Sequence, residues 1–215
     1  MANLPALSLL ETRVIGVLLE KQHTVPDTYP LTLNALTSGC NQKTSRDPVM
    51  DAPETDVQAA IDHLKSLSVV MESSGGRVMR YAQNLGKVLG IPPQSCALLA
   101  VLFLRGPQTA GELRIHSERL HRFGDILSVE AFLNELAERK EGALVVELAR
   151  APGAREARWA HLLSGEPVIP ETTGIQPTHA SGASSSDLED LRSRVDRLES
   201  EVASLRETLA RLPGQ

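Results

Sequence analysis

The sequence predicts a mainly α-helical protein with small β-hairpins, of the α+β class, in which one unit occurs twice and a C-terminal helix follows. Asp56–Leu64, DVQAAIDHL, returns as SVEAFLNEL at Ser128–Leu136, and such an echo indicates a duplicated unit. After each copy comes a pair of β-rich runs, the second containing Arg-Tyr-Ala at 80–82 or Arg-Trp-Ala at 158–160. Near the end of the chain, leucine and valine alternate at spacings of three and four, which is typical of a coiled coil.

The first unit, residues 1–86, opens with apolar residues at helical spacing. They predict a first helix and are Leu7, Leu10, Val14, Val17 and Leu18. Pro30 suits the first turn of a second helix that runs to about Cys40, and Thr55 suits the N-cap of a third. Val69–Glu72 and Arg77–Tyr81 then form the strands of a predicted hairpin.

The second unit, residues 87–163, has the same order of elements. Ala97–Arg105 is an apolar first helix, Thr109 and Glu112 form the capping box of a second, and a third starts near Ser128. The strands are predicted at Leu144–Ala149 and Glu156–His161. Three helices followed by a hairpin make a winged-helix domain, so the chain is expected to contain two winged-helix domains in tandem.

Residues 164–186 are rich in Ser, Thr, Gly, Pro and Ala and predict a flexible linker. The composition then changes, and residues 187–212 are predicted to form a coiled-coil helix. Its apolar seam is expected to mediate dimerisation and consists of Leu188, Leu191, Val195, Leu198, Val202, Leu205 and Leu209.

The charges beside this seam favour a parallel homodimer. In a parallel pair the flanking contacts join Asp187 to Arg192, Arg194 to Glu199 and Glu201 to Arg206 of the second chain, and all are attractive. In a centred antiparallel pair, Arg192 would face Arg206 and Glu199 its own copy, which is repulsive. The alternative is a single amphipathic helix that folds back on the winged domains.

Composition places the protein among soluble globular chains. The net charge is −5, and 41% of the residues are hydrophobic. No run of 18 apolar residues occurs, so we expect a cytoplasmic protein without a membrane partner. Cys40 and Cys96 are isolated and are expected to be buried free thiols, and no metal site or cofactor is predicted.

Several longer motifs carry a family resemblance. They are LNALTSGCNQKTSRDPVMD at Leu33–Asp51, RGPQTAGELR at Arg105–Arg114, RLHRF at Arg119–Phe123 and REARWAHLLSGE at Arg155–Glu166. In these motifs the chain resembles the YceH-like family of uncharacterised bacterial proteins. The resemblance implies a tandem winged-helix fold and no known catalytic activity.

The first hypothesis for function is a dimeric, DNA-associated factor of the transcription-regulator kind. In a helix-turn-helix the third helix enters the major groove, where Gln58 could pair with adenine and Asp62 with cytosine. Basic and polar groups of the preceding loop and the wing would hold phosphates. The candidate nucleic-acid-binding residues are Gln42, Lys43, Ser45, Arg46, Gln58, Asp62, Arg77 and Arg80.

The alternative hypothesis is a protein-interaction adaptor. The outward face of the second unit's third helix carries Glu130, Asn134, Glu135 and Glu138, and carboxylates are repelled by a phosphate-lined groove. Acidic third helices also occur in the tandem winged helices of ScpB-type condensation subunits, a likeness of architecture. Either double-stranded DNA or a protein therefore remains the expected ligand.

An enzyme is not expected. The chain has no GxxxxGKS, HExxH, CxxC or GxSxG motif. His116 and His121, with the neighbouring Arg114, Arg119 and Arg122, are better interpreted as a basic surface loop than as a metal site.

Overall fold

The computed structural model describes residues 4–74, 78–150 and 153–167. In this part the chain is a mixed α+β protein with seven α-helices, one short 3-10 helix and two small antiparallel sheets. The predicted α+β class is therefore confirmed. We call residues 4–86 the first half and residues 87–167 the second half.

The first half contains three longer helices and a three-stranded sheet. Its elements are α1 (Leu9–Thr24), a 3-10 helix (Pro26–Thr28), β1 (Leu31–Thr32), α2 (Leu33–Cys40), α3 (Glu54–Ser66), β2 (Val70–Ser73) and β3 (Arg80–Gln83). Strand β3 lies between β1 and β2, with Leu31 opposite Tyr81 and Val70 opposite Gln83. The short helix α4 (Leu85–Leu89) follows and spans the predicted domain boundary at residue 86.

The second half repeats this order with a smaller sheet. Its elements are α5 (Pro93–Arg105), α6 (Ala110–His116), α7 (Ile126–Ala137), β4 (Val145–Glu147) and β5 (Trp159–His161). Strands β4 and β5 pair antiparallel, with Val145 opposite His161. Gln108 forms a bridge to Trp159, which matches the pairing of Leu31 with Tyr81 in the first half.

The third helix of each half turns its apolar stripe inward. In α3 the buried residues are Val57, Ala60, Ile61 and Leu64, and in α7 they are Val129, Leu133 and Leu136. Both sets follow spacings of three and four, which place side chains on one face of a helix. The spacing of the apolar residues in the sequence thus matches the face that each helix buries.

The two halves share one hydrophobic core, because α1 packs along α5. Gly16 lies at this contact, and a Cβ atom placed there would come within 2.9 Å of the Leu104 Cδ2 atom and 3.1 Å of the Phe103 Cβ atom. Glycine therefore allows the two helices to approach closely. Asp47 of the α2–α3 loop adds a backbone hydrogen bond to the Leu104 carbonyl oxygen at 2.8 Å.

Several predicted helix starts need correction. Helix α2 begins at Leu33 instead of Pro30, because Leu31–Thr32 pairs with β3 and the Thr32 hydroxyl accepts a hydrogen bond from the Ala35 amide at 3.3 Å. The N-cap of α3 is Pro53, not Thr55.

In the second half, α5 already begins at Pro93, which suits the first turn of a helix. Helix α7 begins at Ile126, where Asp125 forms a capping box with Ser128. The capping box predicted for α6 is confirmed: the Glu112 amide donates to the Thr109 hydroxyl at 3.2 Å, and the Glu112 carboxylate accepts from the Thr109 amide at 2.9 Å.

Candidate interaction surfaces

Gln58, the residue expected to read a base from α3, is held by two neighbours. Its Nε2 atom donates to the Asp62 Oδ1 atom at 3.1 Å, and its Oε1 atom accepts from the Tyr81 hydroxyl at 3.2 Å. Both bonds fix the orientation of the amide, so an approaching adenine would have to share its donor and acceptor groups with Asp62 and Tyr81. Gln58 and Asp62 therefore belong to an internal network on the outer face of α3.

The outer surface of α3 is acidic. Glu54 and Asp56 lie in its first turn, and Asp62 is exposed farther along. Lys65 lies 3.5 Å from Asp62 and is also bound to Glu72 of β2. The hydrogen bond with Glu72 raises the pKa of Lys65. The helix thus presents carboxylates while its lysine is engaged, which opposes insertion into a phosphate-lined groove.

Arg46, expected to contact phosphate, lies in the interior instead, and this expectation is corrected. Its side chain has no exposed surface. The Nη2 and Nη1 atoms bind the two carboxylate oxygens of Glu20 at 2.7 and 3.2 Å, and Nε donates to the Gly39 carbonyl oxygen at 3.1 Å. A two-pronged pairing of this kind occupies the guanidinium. Arg46 is therefore unavailable to a nucleic acid.

A second arginine, Arg13 of α1, lies near this pair and is fully buried. Its Nη1 and Nη2 atoms donate to the carbonyl oxygens of Cys40 and Pro48 at 3.2 and 2.8 Å. Burial lowers the pKa of Arg13, and the neighbouring Arg46 lowers it further. The two arginines fasten the loop of residues 41–53 to α1, so the loop motif has a structural role.

The remaining loop candidates differ in how strongly they are bound. The Gln42 Nε2 atom donates to the Thr44 carbonyl oxygen at 3.0 Å. Ser45 is half-buried and adopts a left-handed backbone with φ of 60°. Lys43 is exposed and, within the ranges that the structure covers, forms no ion pair or side-chain hydrogen bond. Lys43 is therefore the freest cation of this loop.

In the hairpin, Arg80 is exposed but partly engaged. Its Nη1 atom donates to the carbonyl oxygens of Thr28 and Pro30 at 3.1 and 2.7 Å. Arg77 lies outside the described residues, as do the seven residues of the predicted coiled-coil seam and residues 168–186 of the predicted linker. Residues 164–167, the start of that linker, are described, and the Gly165 amide donates a hydrogen bond to the Leu162 carbonyl oxygen at 3.0 Å.

The outward side chains of α7 lie in solvent. Asn134, Glu135 and Glu138 are exposed, and Glu130 is half-buried. In the described part of the chain, none of these four side chains forms an ion pair or a side-chain hydrogen bond. Their charges are available to a partner.

Exposed basic and apolar side chains lie on α6, on the segment that follows it and at the start of α7, and we call this set the α6–α7 corner. It consists of Arg114, Ile115, Arg119, Arg122 and Leu127. The three arginines are exposed, while Ile115 and Leu127 are 63% and 73% exposed. A shallow groove of about 410 Å³ lies beside it, lined by Arg114, Ile115, Glu118, Arg122, Phe123 and Gly124.

The sequence revealed the arginines of this corner but not its apolar members. Ile115 and Leu127 fit a helical pattern as well as core residues do, and the neighbouring Leu113 is fully buried. Their exposure depends on the packing of α6 against α7, which is a feature of the tertiary structure. The one available signal was that Ile115 lies between Arg114 and His116, two polar residues.

The histidines and cysteines have structural surroundings. The His116 Nδ1 atom lies 2.7 Å from the Gln108 Oε1 atom, and burial and Arg105 together lower the pKa of His116. Cys40 and Cys96 are free and buried, as predicted, and burial raises the pKa of their thiols to about 12 and about 11. Among the described residues, no three His, Cys, Asp or Glu side chains are grouped so that they could hold a metal ion.

Within the described ranges, no helix is both long enough and apolar enough to cross a bilayer.

Residues 7–154 match the family model described as a protein of unknown function, DUF480. The chain belongs to the DUF480 family, whose members are also called UPF0502 proteins. It is 60% identical over 205 residues to a UPF0502 protein of Dechloromonas aromatica, with 95% of each chain covered. It is 57% identical over 211 residues to one of Leptothrix cholodnii, with 97% of this chain and 95% of the relative covered.

The resemblance noted in the motifs is thereby confirmed, since the YceH-like family and the DUF480 family agree. Members of the DUF480 family from Burkholderia multivorans and Cupriavidus metallidurans are 56% and 57% identical to the chain, with 97% and 99% of this chain covered. Alignments of this length continue past residue 166, so the relatives also share sequence with the C-terminal segment.

Proposed function

We propose that this chain is a non-enzymatic recognition protein made of two winged-helix domains in tandem, residues 1–86 and 87–163. A linker at 164–186 would join them to a coiled-coil helix at 187–212 that forms a parallel homodimer in the cytoplasm. The equivalence of the two halves supports the tandem. In each, a capping threonine, Thr32 or Thr109, opens the second helix, and the residue before it pairs with the last strand.

We propose further that the ligand is a protein and that the second half binds it. The observation that carries this proposal is the α6–α7 corner, where Ile115 and Leu127 are exposed on a stretch of chain that also carries three exposed arginines, and Ile115 lines one groove with Arg114 and Arg122. Interface cores are enriched in arginine and large apolar side chains, and exposed apolar groups become favourable when a partner covers them. The fitting partner is a segment that carries both apolar side chains and carboxylates.

The charges of the corner are available for such a partner. Arg114 and Arg119 form no ion pair within the ranges that the structure describes, and Arg122 lies only within 3.8 Å of Glu118. The carboxylates of α7, Glu135 and Glu138, lie on the next helix and would repel a wrongly placed acidic segment. Arrangements of this kind give an interface its register and its specificity.

A DNA-associated factor is the second candidate, and Lys43 is the observation that favours it. This lysine is exposed on the loop before α3, where a helix-turn-helix protein contacts phosphates. The candidate ranks second because Arg46 is buried on Glu20 and Gln58 is engaged with Tyr81 and Asp62. In a DNA complex, Arg46 would have to leave Glu20 to reach a phosphate, and the Gln58 amide would have to share its groups with Tyr81 and Asp62.

A photo-crosslinking experiment tests the protein-binding proposal. A benzoylphenylalanine is placed at Leu127 of the full-length protein in cells, and the matched control places it at Val49, which is 56% exposed on the loop of residues 41–53. We expect a discrete adduct from position 127 that is lost with Arg119→Glu and Arg122→Glu. Equal adducts from both positions, or an adduct indifferent to the charge reversals, would contradict the proposal.

Fluorescence anisotropy with duplex DNA distinguishes the DNA-associated factor from the protein-binding proposal. Phosphate contacts make affinity fall steeply between about 50 and 200 mM salt. Salt-sensitive binding that Lys43→Glu abolishes and Arg119→Glu leaves unchanged would favour the DNA-associated factor. If the protein-binding proposal is correct, the chain should bind no DNA sequence preferentially, and Lys43→Glu should not change its affinity for DNA.

A further inference from the structure

A second candidate site is a half-open cavity of about 250 Å³ where the α2–α3 loop, α5 and β5 meet. Most of its wall is apolar. The apolar lining residues are Leu9, Pro48, Leu102, Phe103, Pro107, Ala160 and Pro167. For comparison, an apolar protein cavity of roughly 150 Å³ is large enough to bind benzene. The cavity therefore has room for a ligand with a ring-sized apolar body.

The charged side chains of the cavity wall are both acidic. They are Asp47 and Glu166, and the lining contains no lysine or arginine. Both residues are exposed, and in the described part of the chain neither carboxylate forms an ion pair or a side-chain hydrogen bond. Arg13 lies close enough to Asp47 to sense its charge, so Glu166 is the freer of the two. The wall thus offers negative charge at the edge of an apolar space.

His161 adds a neutral polar group. Its ring packs edge-on against Phe103, with 4.9 Å between the ring centroids, and its buried Nδ1 atom has no hydrogen-bond partner within the described residues. Burial lowers the pKa of His161 to about 4. The imidazole is therefore uncharged at neutral pH and does not repel a cation. A neutral ring keeps one nitrogen as an acceptor.

We propose that this cavity binds a small amine, a protonated ammonium group attached to an apolar body. Asp47 and Glu166 attract the ammonium group, and the wall around Leu102 and Phe103 takes the apolar body. The complementarity of charge selects this class, because a carboxylate-bearing ligand would meet two like charges and a neutral ligand would leave them unused. The proposal does not depend on which macromolecule the protein binds.

Calorimetric titration of the full-length protein tests the choice of ligand. The probes are phenethylamine, phenethyl alcohol and phenylpropionate, which share a phenyl ring and differ in charge. We expect the amine to bind several-fold more tightly than the alcohol and the carboxylate to bind most weakly. An amine that binds no better than the alcohol would overturn the proposal.

The variant Asp47→Asn with Glu166→Gln tests the assigned residues. Affinity for the amine should fall roughly two- to thirtyfold, the range that two partly exposed ion pairs span, while affinity for the alcohol stays unchanged. The matched control is Glu135→Gln with Glu138→Gln, which removes two carboxylates from α7. A control that weakens the amine equally would show only a general charge effect and would overturn the site.

Amide chemical shifts locate the bound probe independently of affinity. On adding the amine to the protein labelled with nitrogen-15, the signals of Gly106, Ala160 and His161 should move together. Gly106 lines the cavity and Ala160 and His161 form part of its wall. Movement confined to other residues would overturn the proposal, and thermal unfolding of each variant verifies that it is folded.

Discussion

The strongest test of the packing concerns Arg46, which the structure places between Glu20 of α1 and the Gly39 carbonyl oxygen. We choose the substitution Arg46→Met because methionine keeps a long apolar chain while removing the charge. The Glu20 side chain is only 16% exposed. After the substitution, it would remain as a buried carboxylate without its principal partner.

The expected loss of stability follows from the burial of this pair. Removing one partner of a buried ion pair costs about 3–5 kcal/mol. Repulsion between Arg46 and the buried Arg13 is relieved at the same time, so we expect the lower end, about 3 kcal/mol. For a protein of this size, that loss lowers Tm by about 6–12 °C. The matched control is Lys43→Met, an exposed cation three residues away, which should change stability by about 0.5 kcal/mol or less.

The loss should also depend on pH. Burial raises the pKa of Glu20, but Arg46 and Lys21 outweigh burial, so the pKa lies below its usual value of 4.5. A carboxyl whose pKa is depressed by folding stabilises the native state above the unfolded pKa, and the contribution is lost as pH falls through the folded pKa. The difference in Tm between wild type and Arg46→Met should therefore be constant near pH 7 and shrink below pH 4.5.

Thermal unfolding followed by circular dichroism at several pH values measures both effects. A decrease in Tm of less than about 2 °C would refute the assignment of Arg46 to a buried ion pair. A large decrease that does not shrink in acid would show that lost packing, and not the charge pair, causes the effect.

Three further predictions concern capping, packing and assembly. Thr109→Ala should lower the free energy of unfolding by about 1 kcal/mol, because it removes the cap of α6. Thr55→Ala removes no cap and should lower it by about 0.5 kcal/mol or less. Urea unfolding measures both values. Gly39→Ala should cost about 1–3 kcal/mol, because its Cβ atom would lie 2.6 Å from a Val17 methyl group, whereas nothing lies within 4 Å of a Cβ atom at Gly124. Removal of residues 187–215 should lower the sedimentation mass from dimer to monomer, and a persisting dimer would assign assembly to the remaining chain.

Local signals in the sequence were sufficient for the existence of the helices and for their buried faces, but not for every helix start. The inward set of α3 and the capping box of Thr109 and Glu112 depend on residues three and four apart, so they can be read without knowing the tertiary fold. The start of α2 could not be read in this way. Pro30 suits a first helical turn, but Leu31–Thr32 pairs with β3 about 50 residues away, and this pairing delays the helix.

For the predicted nucleic-acid-binding loop, the sequence indicated a polar, basic segment but not which of its cations are exposed. Lys43 and Arg46 are nearby cations in one polar loop, and sequence alone cannot show that one extends into solvent while the other enters the interior. The difference arises because Arg46 meets Glu20, 26 residues away along the chain, at a place that the packing of α1 creates. The sequence alone therefore established the composition, the helical periodicity and the family of this protein. Which charged side chains are buried and paired became clear only in the folded structure, because burial and pairing depend on contacts between distant segments.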